Sequence, residues 1–247
     1  MDEIISDGLR LEARFATPPG TGRWPALLLL PGFPRGTGGA AMSGNTYTPL
    51  ADRIAREAGW AALTFHYRGT GSSEGDFSID GWMHDVAAAI ACLRARDYVS
   101  GIWLPGFRLG GTLAITAAAA DPAVRAIATF SAPVSLQSWV PDSARFADYC
   151  RRVGVIHDPG FPTDVAAWGR SIADLDVESA AAAVAPRPWL LVHGSDDDVV
   201  SIDHARRLAA ASAGNAQFRV IEHGAHRLRH DPRAIAMLLG WLDRQRV

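Results

Sequence analysis

A chain of 247 residues, 48% hydrophobic and 20% charged, carries enough apolar side chain to bury a continuous core, and its length suits one α/β domain over residues 1–247. The formal charge of −2, without any dense Lys/Arg run, excludes the basic excess of a nucleic-acid binder. No apolar stretch approaches the roughly 20 residues of a membrane span, and the start (Asp2, Glu3, Asp7) lacks a signal-peptide pattern, so a cytoplasmic protein with neither nucleic-acid nor membrane partner is expected.

The opening segment, Ile4 to Phe15, reads as one or two antiparallel edge strands. Ala26 to Leu30, closed by Pro31-Gly32, is the first short apolar run, and Thr48 to Ala58 then places Leu50, Ile54 and Ala58 on one helical face. Trp60 to Tyr67 is the second run; Met83 to Arg96 follows with Val86, Ile90 and Leu93 at helical spacing. Gly101 to Leu104 ends at Pro105-Gly106, and the alanine-rich Leu109 to Ala120 stops at Asp121-Pro122. Val124 to Phe130, Trp189 to Val192 and Phe218 to Ile221 are further runs, with helical patterns at Asp203 to Ala213 and Pro232 to Arg244. Short continuous apolar runs suit strands buried on both faces, and their alternation with helices predicts a mostly parallel, doubly wound sheet. Ser135 to Pro186 breaks the alternation; with Trp139, Phe146, Tyr149, Phe161 and Trp168 among polar residues, it is expected to form a small helical cap over a pocket. Cys92 and Cys150 are expected as unpaired thiols.

Three loops carry the candidate chemistry. Gly106-Phe107-Arg108-Leu109-Gly110-Gly111 joins an apolar strand to a helix, with glycines spaced as in a nucleophile elbow, whose central side chain projects into a pocket. His193-Gly194-Ser195-Asp196-Asp197-Asp198 follows the next-to-last strand, where an acid orients a histidine. His223-Gly224-Ala225-His226 precedes the last helix, so the chain order is turn, acid, histidine.

This pattern resembles the α/β-hydrolase superfamily, especially its small esterase and serine-aminopeptidase-like members, over nearly the whole chain. The resemblance implies an α/β-hydrolase fold with a mostly parallel sheet flanked by helices. It selects Asp197, four residues after the histidine of the His-Gly pair and followed by Val200, over Asp196 and Asp198, and it selects His226 as the histidine. It also implies an oxyanion loop at Pro31-Gly32-Phe33-Pro34, the backbone N–H groups of Phe33 and Leu109 being the two donors, and it matches Arg68-Gly69-Thr70-Gly71-Ser72-Ser73-Glu74-Gly75 to a common loop. Two residues depart from the family pattern. Pro31 stands in place of the usual histidine, and Arg108 in place of the nucleophilic serine.

A guanidinium has donors, no acceptor and a permanent charge, so it forms no acyl-enzyme. Arg108 is then expected to bind an anionic group, to pair internally with Asp197 as the relic of a lost site, or to be a chance or engineered change in an otherwise competent enzyme. Ser131, Ser72 and Ser73 are substitute nucleophiles whose positions suit turns or caps. His66, His84, His157, His204 and His230 lack metal-ligand spacing, and His223 and His226 lack a third partner; no metal or other cofactor is expected. The expected function is a hydrolase-lineage protein with a pocket for a small-molecule ligand or substrate, anionic if Arg108 holds it, and without ordinary serine chemistry. Two alternatives stand beside it. One is a hydrolase or lyase in which Asp197–His226 activates water or abstracts a proton; the other is a non-catalytic ligand-binding or interaction protein.

Overall fold

The structure, a computed structural model, describes residues 2–245; Met1, Arg246 and Val247 of the expected 1–247 domain lie outside the described residues. The chain opens with a hairpin, β1 (Asp2–Ser6) and β2 (Leu9–Ala16). Its turn, Asp7-Gly8, holds φ at 50° and 79°, the two consecutive positive values that a tight hairpin of right-handed twist requires. β3 (Trp24–Leu29), β4 (Ala61–Phe65), β5 (Val99–Phe107), β6 (Val124–Phe130), β7 (Trp189–Gly194) and β8 (Ala216–Ile221) complete an eight-stranded sheet of order β1-β2-β4-β3-β5-β6-β7-β8. β1–β2 and β2–β4 are antiparallel and every other pair is parallel. β2 is therefore an interior strand, and only β1 of the hairpin is an edge.

Helices α1 (Tyr47–Arg53), α2 (Ile79–Arg94), α3 (Leu109–Ala120), α7 (Ile202–Ala211) and α8 (Pro232–Asp243) cover the sheet. Side chains alternate across each strand, so Leu28 and Leu30 enter a core shared with α2, α3 and α7, while Leu27 and Leu29 enter a second core under α1 and α8. β5 runs on through Pro105-Gly106 rather than ending at Leu104. Proline is tolerated there because its carbonyl still accepts the Leu30 N–H (2.9 Å), and the Leu30 carbonyl accepts from Phe107 (3.0 Å), so the ladder continues without a Pro105 donor.

Between β6 and β7 lie α4 (Ser143–Val153), α5 (Val165–Ala173) and α6 (Val177–Ala183). Each starts on an aspartate, Asp142, Asp164 or Asp176, whose carboxylate accepts an N–H of the first turn. α6 shares the core of α3 and α7, whereas α4 faces the carboxyl ends of the strands. The Arg68–Gly75 loop supports this region: Arg68 grips the fully buried Asp85 through Nε (3.0 Å) and an Nη (2.7 Å), and Phe77 donates to the Val155 carbonyl (2.8 Å). Both cysteines are free. Among the described residues no helix is long and apolar enough to cross a membrane.

Candidate active site

The β5–α3 turn is held by close backbone approaches. A Cβ on Gly106 would stand 2.2 Å from the Gly110 carbonyl oxygen, one on Gly110 would stand 2.2 Å from that of Leu30, and one on Gly111 would stand 2.8 Å from the Ala132 Cβ. The strand, the helix and the neighbouring strand end meet at distances only glycine allows. Between them Arg108 takes φ 56° and ψ −125°, and its N–H donates to the Phe130 carbonyl at 2.7 Å. A non-glycine residue at positive φ of this kind costs on the order of 1–3 kcal/mol and persists only where surrounding contacts enforce it.

The Arg108 side chain lies over the loop after β3, where a Cβ on Gly32 would be 2.7 Å from Nε. Among the described residues its guanidinium has no carboxylate within ion-pair distance, so the expected pairing with Asp197 is not formed. Asp197 is already occupied. His226 Nδ1 lies 3.0 Å from both Asp197 carboxylate oxygens, and the Val199 and Val200 N–H groups donate to Oδ1 at 3.1 and 2.9 Å. Asp196, by contrast, accepts from Ser195 and faces His223 at the surface. The acid and histidine loops meet because Gly194 and Gly224 touch: a Cβ on Gly194 would fall 2.0 Å from the Gly224 oxygen.

His193 is a part of this arrangement that the sequence pattern did not single out as functional. It is fully buried, its Nε2–H donates to the Val200 carbonyl (2.8 Å), and the same nitrogen lies 3.4 Å from Asp197. Burial lowers its pKa, keeping it neutral beside the carboxylate. Burial alone would raise the Asp197 carboxyl. The hydrogen bond from His226 and the Val200 N–H outweigh burial and hold the carboxyl at about 2. Asp197 therefore accepts the Nδ1 proton of His226, which leaves Nε2 as the nitrogen available to the adjoining cavity.

That depressed pKa predicts a pH-dependent stability. A carboxyl at about 2 in the fold against 3.8 unfolded contributes about 2 kcal/mol above pH 4, lost as pH falls toward 2. Asp197→Asn should lower the urea-unfolding free energy by about that amount at pH 7. The difference between the two proteins should close at the acid end; an equal deficit at all pH values would refute the linkage.

The N–H groups of Phe33 and Leu109 find no backbone acceptor among the described residues. Phe33 packs edge-on to Phe77 (ring centroids 5.0 Å) and beside Trp82 (5.6 Å), which fixes its loop against the start of α2. A cavity of about 580 Å³ opens here, lined by Phe33, Arg108, His226, Trp139, Phe146 and Tyr149, with Asp142 and Arg145 at its edge. Trp168, expected over the pocket, instead packs behind it, stacked on Phe146 and donating to the Phe77 carbonyl. Phe161 does not line the cavity.

Ser131 is fully buried with its hydroxyl unpartnered, Ser73 bridges the His66 carbonyl and the Glu12 N–H, and Ser72 donates to Glu12. None of the three reaches the cavity. Among the described residues no group of three His, Cys, Asp or Glu side chains could hold a metal ion.

Residues 7–167 match the model of the family described as X-Pro dipeptidyl-peptidase (S15 family). That span includes Phe33, Arg108 and Leu109 and stops before Asp197 and His226. The uncharacterized protein YfhR of Escherichia coli O157:H7 is 28% identical over 193 residues, which make up 76% of this chain and 60% of that protein, so the chain spans less than two thirds of the relative's length. Est1E from Butyrivibrio proteoclasticus, solved with ferulic acid bound, superposes with a TM-score of 0.76 at 20% identity, over 99% of this chain and 98% of that one. An alpha-beta serine hydrolase homologue from Coxiella burnetii superposes with a TM-score of 0.66 at 19% identity, over 100% and 96%. At such identities the likeness is one of fold, and the fold is that of the α/β-hydrolases.

Proposed function

Given that the chain belongs to the X-Pro dipeptidyl-peptidase (S15) family, we propose that it is a protein of esterase- and peptidase-like hydrolase lineage that has given up the covalent serine route and keeps its pocket to bind a small molecule. One observation carries this reading: the residue at the strained β5–α3 turn, where the nucleophilic serine of the lineage belongs, is Arg108. Its guanidinium offers no lone pair to attack a carbonyl and no hydroxyl proton for His226 to take. Beside His226 its positive charge also opposes the imidazolium that an acyl-transfer step would create. What the side chain offers is a planar fork of donors for a carboxylate or phosphate.

A second reading rests on the assembled remainder of the site. Asp197 and His226 are hydrogen bonded, and the Phe33 and Leu109 N–H groups lack backbone acceptors. His226 would then draw a proton from water or from a carbon acid, with the developing oxyanion taken by the two N–H groups and Arg108.

Wild type incubated with p-nitrophenyl butyrate and, separately, with a fluorophosphonate probe tests both. The binding reading expects neither turnover nor label. Turnover without label, abolished in His226→Ala, establishes the water route in its place. A covalent label on the wild type overturns both readings and shows that a nucleophile lies elsewhere.

A further inference from the structure

Behind Arg108 lies a second chamber of about 280 Å³ that shares Arg35, Arg108 and His226 with the apolar one. Arg227, Arg229 and His230 also line it, and no aspartate or glutamate does. Four guanidinium groups thus converge in a chain whose formal charge is −2. None of the four has a carboxylate within ion-pair distance among the described residues, although Arg10, Arg14, Arg53, Arg68 and Arg207 all do. Arg35 and Arg227 are exposed at the rim, while Arg108 and Arg229 are half-buried. The Arg229 guanidinium donates to the Thr46 carbonyl and stacks over Tyr47, 5.2 Å from the ring centre, but its Nε is buried without an acceptor.

Like charges gathered at half-buried positions are costly unless an anion joins them. The cost is visible in their neighbours. Burial lowers the Arg108 pKa, with Arg35 and Arg227 adding to the effect, and burial lowers that of His230, with Arg229, Arg227 and Arg108 adding to it.

We infer that the chamber ringed by Arg35, Arg108, Arg227 and Arg229 binds the oxyanion group, phosphate or carboxylate, of a ligand whose apolar body fills the adjoining Phe33–Trp139–Phe146 chamber. The shared wall of Arg108 and His226 places the junction of head and body beside the Asp197–His226 pair. Guanidinium forks match the oxygens of either anion. The aromatic chamber supplies affinity through apolar contact; away from the shared Arg35, Arg108 and His226 its charged lining is Asp142 and Arg145, which face each other at 3.6 Å. This inference rests on the small-molecule reading above in taking the aromatic chamber as a ligand site.

Calorimetric titration with inorganic phosphate, phenyl phosphate, benzoate and phenol tests it. At least one of phenyl phosphate and benzoate should bind about tenfold or more tighter than phenol and than inorganic phosphate, and high salt should weaken it. The tighter of the two identifies the anion. Arg227→Gln, a change at the exposed rim, should weaken that ligand about tenfold while leaving phenol unchanged. Arg229→Gln should do the same wherever its melting temperature matches the wild type. Phenol binding as tightly as both anions, or anion affinity indifferent to Arg227→Gln, would overturn the inference while leaving the small-molecule reading intact. Inorganic phosphate binding as tightly as the tighter of phenyl phosphate and benzoate would overturn the two-chamber ligand. Failure of all four probes, phenol included, would remove both readings.

Discussion

Arg108→Ser should convert the protein into an esterase, raising turnover of p-nitrophenyl acetate by about 100-fold or more over the wild type. The substitution puts a hydroxyl on a turn that already holds φ at 56°, so no new backbone conformation is needed. It also removes the fixed positive charge beside His226, so the imidazolium is no longer opposed. The partners of the reaction are in place: Asp197 is held ionised, its hydrogen bonds to His226 are 3.0 Å, and the Phe33 and Leu109 N–H groups have no competing backbone acceptor. Arg108→Ala is the companion variant. If it matches Arg108→Ser, relief of charge explains the gain and water is the nucleophile. If only the serine variant reacts, and a fluorophosphonate labels it, the acyl-enzyme route has been restored. A folded Arg108→Ser protein that stays inactive would show that the acid, the histidine and the two donors do not converge on the turn.

The largest loss of stability is expected at a position with no side chain to lose. Gly110→Ala would place a methyl group 2.2 Å from the Leu30 oxygen and 2.4 Å from the Pro31 oxygen. Both are backbone atoms, so the end of β3 and the start of α3 must move apart. The expected cost is about 4 kcal/mol or more in urea unfolding, at the extreme of single substitutions. Because the Phe33 loop continues from Pro31, the same shift would separate the Phe33 and Leu109 N–H groups and erase any activity gained through Arg108→Ser. Gly240→Ala is the contrasting case. Gly240 sits on the exposed face of α8 with nothing within 4 Å of an added Cβ, so alanine should stabilise the helix by about 0.5–1 kcal/mol. Similar effects at the two positions would mean that close backbone approach is not what holds the turn.

Much of the architecture could be read from the chain. The interior strands announce themselves because burial on both faces makes them continuously apolar, as in Ala26–Leu29 and Trp189–Val192. The same rule misjudged the ends. Pro105-Gly106 looks like a turn, yet a parallel ladder needs only the proline carbonyl there. It also could not place β2, because alternating burial describes a strand and not its neighbours. The family resemblance selected Asp197 and His226, and in the fold these two side chains are hydrogen bonded to each other. The cationic chamber was not legible. Arg35 comes from a loop far along the chain from the segment that carries Arg227 and Arg229, and their charges are cancelled in the total by acids elsewhere on the surface. Only folding separates the two signs.

The three glycines of the β5–α3 turn have a consequence for how such a protein can change over generations. Gly106, Gly110 and Gly111 absorb the steric demands of the turn, and their substitutions are opposed by backbone atoms at the first two and by the Ala132 Cβ at the third. The side chain at 108 carries less of that demand: it lines a cavity, and the hydrogen bonds of the turn are to its main chain. Heritable variation at this point is thus partitioned. The glycines are constrained by the fold, whereas a change at position 108 is expected to alter what the cavity binds or transforms before it alters the architecture, so one substitution there should be able to redirect the site without compensating changes in the turn.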